Sequence, residues 1–139
     1  MRASVFVVGL ALLAGPAVGL EYGIASVDDG NATQWDDGNY NHRVATGAMF
    51  NPNSMTAAHR KLPLGSLVQV KNLKNGQRIY VKINDIGPCG SAHCQRKRPD
   101  LLKRIIDLTP YAADELGIEG LGSVEVRVCK IHQGIRICQ

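Results

Sequence analysis

Aromatic side chains are scarce in this 139-residue chain, which contains one Trp, four Tyr and two Phe. A surface that stacks the bases of single-stranded nucleic acid needs several exposed rings, so this scarcity excludes that class of protein. The excess of positive over negative charge is also small. A net charge of +4 suits an acidic partner but does not indicate DNA. No apolar run is long enough to span a bilayer comfortably. With 45% hydrophobic and 20% charged residues, the composition is that of one globular domain.

The N-terminus is typical of a secretory signal peptide. Arg2 is the only charge before an apolar stretch at 5–14, and small residues follow at 17–19. We predict cleavage after Gly19, so that residues 1–19 are the signal peptide and residues 20–139 form the mature domain. A short membrane anchor is the alternative interpretation. The mature domain is expected to be periplasmic or secreted, without stable membrane insertion.

Four cysteines in an exported domain predict two disulfides. Residues 124–128 and 135–137 alternate as strands and are joined by a two-residue turn at 133–134. That register places Cys129 opposite Cys138, within reach of a cross-strand bridge. We therefore predict a C-terminal hairpin linked by this disulfide.

Cys89 and Cys94 are the two cysteines that remain, so we expect them to form the second disulfide and close a short loop. A zinc site that uses His93 is the alternative, because cysteine and histidine are the usual zinc ligands. The irregular cysteine spacing and the oxidising compartment favour the disulfide. No metal ion or cofactor is expected.

A second hairpin is predicted in the middle of the chain. Residues 67–71 and 78–83 alternate between apolar and polar, and Asn75-Gly76 is a strong turn signal. Pairing about that turn sets Val70 opposite Val81 on one apolar face.

Helices are predicted to be few and short. Thr109 is a suitable cap for a helix that has Pro110 in its first position and ends at Gly117. A further helical turn is predicted at 99–103. A domain made mostly of short strands with one or two short helices points to a small β-barrel.

Four segments, in one order, carry a resemblance to a known family. They are residues 56–65, 68–76, 81–88 and 104–109. The chain resembles the rare lipoprotein A family from about Gly23 to Val128. The resemblance implies a six-stranded double-psi β-barrel related to expansins. It also implies a peptidoglycan lytic transglycosylase, which cuts the β-1,4 bond between N-acetylmuramic acid and N-acetylglucosamine and leaves a 1,6-anhydromuramyl end.

Cleavage of a glycosidic bond needs an acid for the leaving oxygen and a base for the attacking hydroxyl. One carboxyl group can perform both steps when the hydroxyl belongs to the substrate. Asp85 is the best candidate, because it follows an apolar strand and precedes a loop, where a barrel opens. The alternative is that Asn84 and Asp85 are turn residues that bond to local backbone. The resemblance favours catalysis by Asp85, with Asn84 as an auxiliary residue.

His59 is the second predicted catalytic residue, since the resemblance carries an active-site histidine onto it. A histidine can orient a carboxylate or carry a proton near neutral pH. A partly buried histidine bonded to backbone is the alternative. Thr56, in the small-residue run before His59, is a predicted substrate contact. We expect His59 and Asp85 to converge at one cleft mouth.

Asp107 is predicted to be structural or auxiliary. It lies between two isoleucines and the helix cap Thr109, so it could bond to nearby amides and fix the start of the helix. The resemblance to expansins carries a functionally important aspartate onto this position. We expect Asp107 to lie near Asp85 in space.

One departure from the family pattern bears on catalysis. The family's active-site glutamate falls eleven residues before the histidine, where this chain has Ala48. If turnover needs that glutamate, the protein is slow or inactive. The long segment 27–43 offers substitute carboxylates, which are Asp28, Asp29, Asp36 and Asp37. Trp35 and Tyr40 of the same segment either supply a sugar-stacking face or belong to a plain surface loop.

The segment 89–103 is a second local peculiarity, because it carries Arg96, Lys97, Arg98 and Lys103 beside the proposed site. These cations either meet the carboxylates of a wall polymer or form the ordinary surface of a solvated loop.

Two functions from different classes follow. The first is an exported lytic transglycosylase that uses Asp85 with His59. The second is a noncatalytic, expansin-like module that binds or loosens cell-wall glycan, which Ala48 favours. The partner is peptidoglycan or another wall glycan in both cases, and no nucleic acid is expected.

Overall fold

The computed structural model describes residues 19–28, 30 and 43–139. The predicted signal peptide lies outside these residues except for Gly19, so the cleavage site stays a prediction. The elements in chain order are β1 (Leu20–Val27), β2 (Thr56–His59), β3 (Leu67–Asn72), β4 (Arg78–Asp85), α1 (Ala92–Lys97), a 3-10 helix (Pro99–Lys103), β5 (Arg104–Leu108), α2 (Pro110–Leu116), β6 (Leu121–His132) and β7 (Ile135–Cys138). Within the described part of the chain, no helix is both long and apolar enough to cross a membrane.

Six strands close into a barrel. Their order is β1-β5-β2-β4-β3-β6, and β6 pairs back with β1, while β7 extends the sheet from β6. The β1–β5 and β2–β4 pairs are parallel, and the other pairs are antiparallel. The predicted mainly-β, six-stranded double-psi barrel is confirmed.

The barrel interior is filled by alternating aliphatic side chains. In β4, buried and exposed residues alternate from Arg78 to Ile83, as a strand with one face on a core requires. Each fully buried valine, leucine or isoleucine contributes about 1.5–3 kcal/mol to folding. The most deeply buried of these side chains are Val68, Val70, Val81, Ile83, Ile106, Leu108, Leu116, Val124 and Val126.

The register of the β3–β4 hairpin differs from the prediction. Val70 pairs with Ile79 instead of Val81. The connection is five residues long, because the Asn72 side chain accepts a hydrogen bond from the Lys74 N–H (2.9 Å) and forms an Asx turn before the predicted turn begins. The error is two residues, so the same face of β4 stays buried.

The C-terminal hairpin agrees with the prediction. Cys129 pairs with Cys138 across the strands and forms a disulfide with it. Gln133 and Gly134 both have positive φ, of 49° and 75°, as a two-residue turn of this kind requires.

The second predicted disulfide, Cys89–Cys94, is also present. The sulfurs that a zinc site would have needed are therefore bonded to each other. Among the described residues, no group of His, Cys, Asp and Glu could hold a metal ion.

Both predicted helical segments are confirmed. The Thr109 hydroxyl accepts from the Ala112 N–H (3.2 Å) and donates to the Ser54 carbonyl (2.6 Å), and Gly117 ends α2 in the left-handed conformation. Helix α1 was not predicted. Its only local signal is Ser91, whose hydroxyl accepts from the Cys94 N–H (3.1 Å) as an N-cap.

Candidate active site

A cavity of about 550 Å³ lies at one end of the barrel. Strand β2 runs between β4 and β5 there, and Ala58 is the register partner of Asp85 on one side and of Asp107 on the other. All three residues line the cavity, and so does Asp28, which directly follows β1. Because Ala58 has only a methyl group, the space between the two carboxyl groups stays open. The prediction that Asp107 lies near Asp85 agrees with this arrangement.

Asp85 is the last residue of β4, at the strand exit that the sequence indicated. Its Oδ1 accepts hydrogen bonds from the Ala45 and Ile86 N–H groups, both at 2.9 Å. Two amides from separate segments therefore fix the orientation of this half-buried carboxylate.

Asp107 is the most deeply buried of the three carboxyl groups, with 8% of its surface exposed. Burial raises the pKa of Asp107 to about 6, and the nearby Asp28 carboxylate acts in the same direction. The hydrogen bond that the Ser26 hydroxyl donates to Oδ1 opposes the rise but does not cancel it. A group with this pKa carries a proton for part of the time near neutral pH, as a general acid must.

Asp28 supplies the third carboxylate. Its N–H donates to the Leu108 carbonyl (2.8 Å), and its Oδ1 accepts from the Gly30 N–H (2.9 Å), so both its backbone and its side chain are held. It was one of the residues considered as a substitute for the family glutamate. The other candidate carboxylates, Asp29, Asp36 and Asp37, lie outside the described residues, and so do the candidate stacking residues Trp35 and Tyr40.

His59 does not line this cavity, so the structure does not bring it together with Asp85 there. Only 3% of its surface is exposed. Nδ1 accepts from the Lys61 and Leu62 N–H groups (3.0 and 3.1 Å), and Nε2 therefore carries the proton and donates to the Glu21 carboxylate at 2.8 Å. Burial lowers the pKa of His59, with Glu21 opposing. Its catalytic role stays a prediction.

Arg60, which the sequence analysis did not single out, connects two segments of the cavity wall. Its guanidinium donates to the carbonyls of Pro88 and Arg104, both at 2.7 Å, and of Leu102, at 2.9 Å. Pro88 belongs to the loop after β4, while Leu102 and Arg104 lie at the junction of the 3-10 helix and β5. The only signal in the sequence is its position next to His59.

Two predicted auxiliary residues occupy different surroundings. The Thr56 hydroxyl shares a hydrogen bond with the Ser54 hydroxyl (2.6 Å) and does not line the cavity. Asn84 lines a small adjoining space together with Asp85 and Asp107. Their roles stay predictions.

Ala48 lies on the surface, in the turn whose Ala45 amide holds Asp85. Its carbonyl accepts from the Val44 N–H (2.9 Å), which closes that turn. This turn, which has no carboxylate at position 48, is therefore closed by its own backbone and presents the Ala45 amide to Asp85.

The lining of the cavity also contains basic residues. His93 and Lys97 of α1 line it, as does Arg98, whose guanidinium pairs with Asp100. The cavity thus has carboxyl groups at the barrel end and cations at the C-terminal end of α1.

The closed six-stranded barrel makes this a double-psi β-barrel protein, and its cluster of aspartates lies at one end of that barrel. Residues 27–128 match the family model described as Lytic transglycolase, and the chain belongs to that family. The resemblance to rare lipoprotein A proteins is confirmed. The chain is 39% identical over 107 residues, 76% of its length, to the probable endolytic peptidoglycan transglycosylase RlpA of Synechocystis. It is 43% identical over 86 residues, 62% of its length, to the endolytic peptidoglycan transglycosylase RlpA of Pasteurella multocida.

The chain spans 30% and 26% of the lengths of these two curated relatives. Among solved structures, the Streptomyces papain inhibitor has a TM-score of 0.50 at 17% identity, over 78% of this chain and 93% of the inhibitor. At that identity the likeness concerns the fold alone.

Proposed function

We propose that this protein is an exported lytic transglycosylase that acts on peptidoglycan in the periplasm or outside the cell. Its family and its curated relatives, which are named as peptidoglycan transglycosylases, support the substrate class. The proposed reaction cleaves the β-1,4 bond between N-acetylmuramic acid and N-acetylglucosamine and leaves a 1,6-anhydromuramyl end.

In the proposed mechanism, protonated Asp107 donates its proton to the glycosidic oxygen as the bond from that oxygen to muramyl C1 breaks. The muramyl C6 oxygen then bonds to C1, and ionised Asp85 takes the C6 hydroxyl proton. Atoms balance without water, and the two carboxyl groups exchange their protons with solvent afterwards. The sequence had suggested that Asp85 performs both steps. The raised pKa of Asp107 supports giving the acid step to Asp107 and the base step to Asp85.

His59 is proposed to assist from behind the cavity wall. Its ring fixes the turn at Lys61 and Leu62, next to Arg60, which ties two cavity segments together. In this role His59 is a positioning residue, since both ring nitrogens already have partners inside the protein.

The observation that carries the proposal is the pair of carboxyl groups on either side of Ala58, one held by amides and the other with a pKa raised to about 6. Acid–base cleavage of a glycosidic bond uses one proton donor and one proton acceptor, and this pair is proposed to supply both.

The test is to incubate the purified secreted protein with peptidoglycan, with and without stem peptides, and to count anhydromuramyl ends by mass spectrometry. Asp85→Asn and Asp107→Asn should each lower the rate about a hundredfold or more. Asp114→Asn, on the exposed side of α2, is the matched control and should leave the rate unchanged. Wild-type rates in both cavity variants would contradict the proposal.

The second candidate function is a noncatalytic module that binds or loosens wall glycan, which Ala48 favours because its methyl group cannot hold a proton. The same incubation separates the two functions. Sedimentation of the protein with peptidoglycan, without new anhydromuramyl ends, would support binding alone.

A further inference from the structure

We propose that α1 gives the cavity a recognition site for a carboxylate on the glycan, with the Lys97 ammonium as its principal contact. This inference rests on the proposed function and concerns which glycans the same cavity accepts. The site is called the basic wall and consists of Arg43, Lys97 and Arg98, all of which line the cavity.

The position of Lys97 follows from the spacing on α1. His93 and Lys97 are four residues apart, which places them on one face of a helix, and both line the cavity. Arg96 and Lys103 belong to the same basic segment but do not line it. The cations are therefore not equivalent, although the sequence alone could not tell them apart.

The segment is fixed against the barrel end. The Cys89–Cys94 disulfide joins the middle of α1 to the loop after β4, and both cysteines line the cavity. The Arg98 N–H donates to the Cys94 carbonyl (2.7 Å) and closes the helix. A cation on this helix is thus held at the cavity instead of on a free loop.

Within the described residues, the Lys97 ammonium differs from the neighbouring Arg98 guanidinium in having no carboxylate partner. The Arg98 guanidinium makes two hydrogen bonds to Asp100, at 3.0 and 2.9 Å. Arg43 donates to the Gly47 carbonyl at 2.9 Å. Among the described residues, none forms an ion pair with Lys97.

The electrostatics of the cavity indicate what Lys97 recognises. Asp28 and Asp85, together with Asp107 when it is ionised, would repel an anionic glycan, whereas a cation in the same cavity lining would attract it. An uncharged sugar gains little from a lysine, but a carboxylate gains a charge-assisted hydrogen bond. A cavity of about 550 Å³ has room for more than one sugar ring, so a carboxylate next to the scissile bond falls within it.

Peptidoglycan has two sources of such a carboxylate. Stem peptides carry carboxylates, and removal of the stem exposes the lactyl carboxylate of muramic acid. The chemistry that Lys97 would recognise is the same in both, so the experiment must separate them.

The test measures binding by sedimentation, and counts anhydromuramyl ends in the same tubes. Wild type, Lys97→Gln and Lys103→Gln are compared on three polymers: intact strands, strands stripped of stem peptides, and stripped strands whose carboxylates have been converted to methylamides. Lys97→Gln should weaken binding roughly fivefold on a polymer that supplies the recognised carboxylate, as expected for one exposed charge contact. Lys103→Gln should match wild type on all three polymers.

A loss on stripped strands that disappears after amidation assigns the lactyl carboxylate, and a loss confined to intact strands assigns the stem. Equal binding by Lys97→Gln and wild type on every polymer, or an equal loss on the amidated strands, would overturn the inference. Because binding is read separately from new ends, an absence of ends contradicts the proposed reaction without affecting this result.

Discussion

Asp107→Asn is expected to stabilise the protein above about pH 6, while it lowers the proposed rate of cleavage about a hundredfold or more. Burial raises the pKa of Asp107 from an ordinary 3.8 to about 6. A shift of about two units corresponds to about 3 kcal/mol, which is the cost of holding the ionised carboxylate in its buried position. Asparagine carries no charge, and its side-chain oxygen can still accept from the Ser26 hydroxyl.

The pH dependence has a definite sign. The folded state binds the Asp107 proton more tightly than the unfolded chain, so this contribution to wild-type stability is complete below about pH 4 and is lost as the pH rises to about 6. His59 acts in the opposite direction. Burial lowers its pKa below 6.5, so its contribution is lost as the pH falls below that value. Because His59 is present in both proteins, its contribution cancels when the free energy of unfolding of wild type is subtracted from that of the variant at each pH.

The assay is urea unfolding of both proteins between pH 4 and pH 8, with the disulfides intact. The free energy of unfolding of Asp107→Asn minus that of wild type should be near zero at pH 4. It should rise with pH and reach at most about 3 kcal/mol by pH 7. Asp114→Asn, whose side chain is exposed, should show no such rise. A difference that does not change with pH, or an Asp107→Asn variant less stable than wild type at pH 7, would refute the reasoning.

Two further predictions concern the framework of the site. Reduction of both disulfides should lower the free energy of unfolding by about 2 to 4 kcal/mol per bridge, and an unchanged melting temperature after full reduction would contradict this. Arg60→Met should lower it by about 2 to 4 kcal/mol, because three carbonyls lose a charged donor. Urea unfolding measures the change for Arg60→Met, and Lys61→Met is the control. A loss of unfolding free energy below about 0.5 kcal/mol in Arg60→Met would contradict the prediction and show that water replaces the guanidinium.

The parts of the fold that were predicted correctly are those that short-range chemistry determines. The C-terminal hairpin was predicted from a two-residue turn flanked by Cys129 and Cys138, and α2 from its Thr109 cap and Gly117 stop. The register of the β3–β4 hairpin was wrong because the Asn72 side chain starts the turn early. A side chain that competes for backbone donors is not visible in a pattern of apolar and polar residues.

The site was predictable in its residue types but not in its electrostatics. Asp85 at the end of a strand could be recognised from the chain, whereas the burial that raises the pKa of Asp107 could not. The partner of His59 is Glu21, 38 positions away, and no local pattern indicates it. Contacts of that range depend on how the barrel closes, which strand propensities do not specify.

The methyl group of Ala58 has a consequence for controlling this protein. Ala58 is the register partner of Asp85 on one side and of Asp107 on the other. Its surroundings are close, because a Cβ added at Gly87 would lie 3.7 Å from the Cβ of Ala58. A bulkier side chain at position 58 would therefore act as a steric plug. It would keep sugar away from both carboxyl groups while leaving each one chemically intact, which offers a form in which exclusion of the glycan can be separated from loss of an acid.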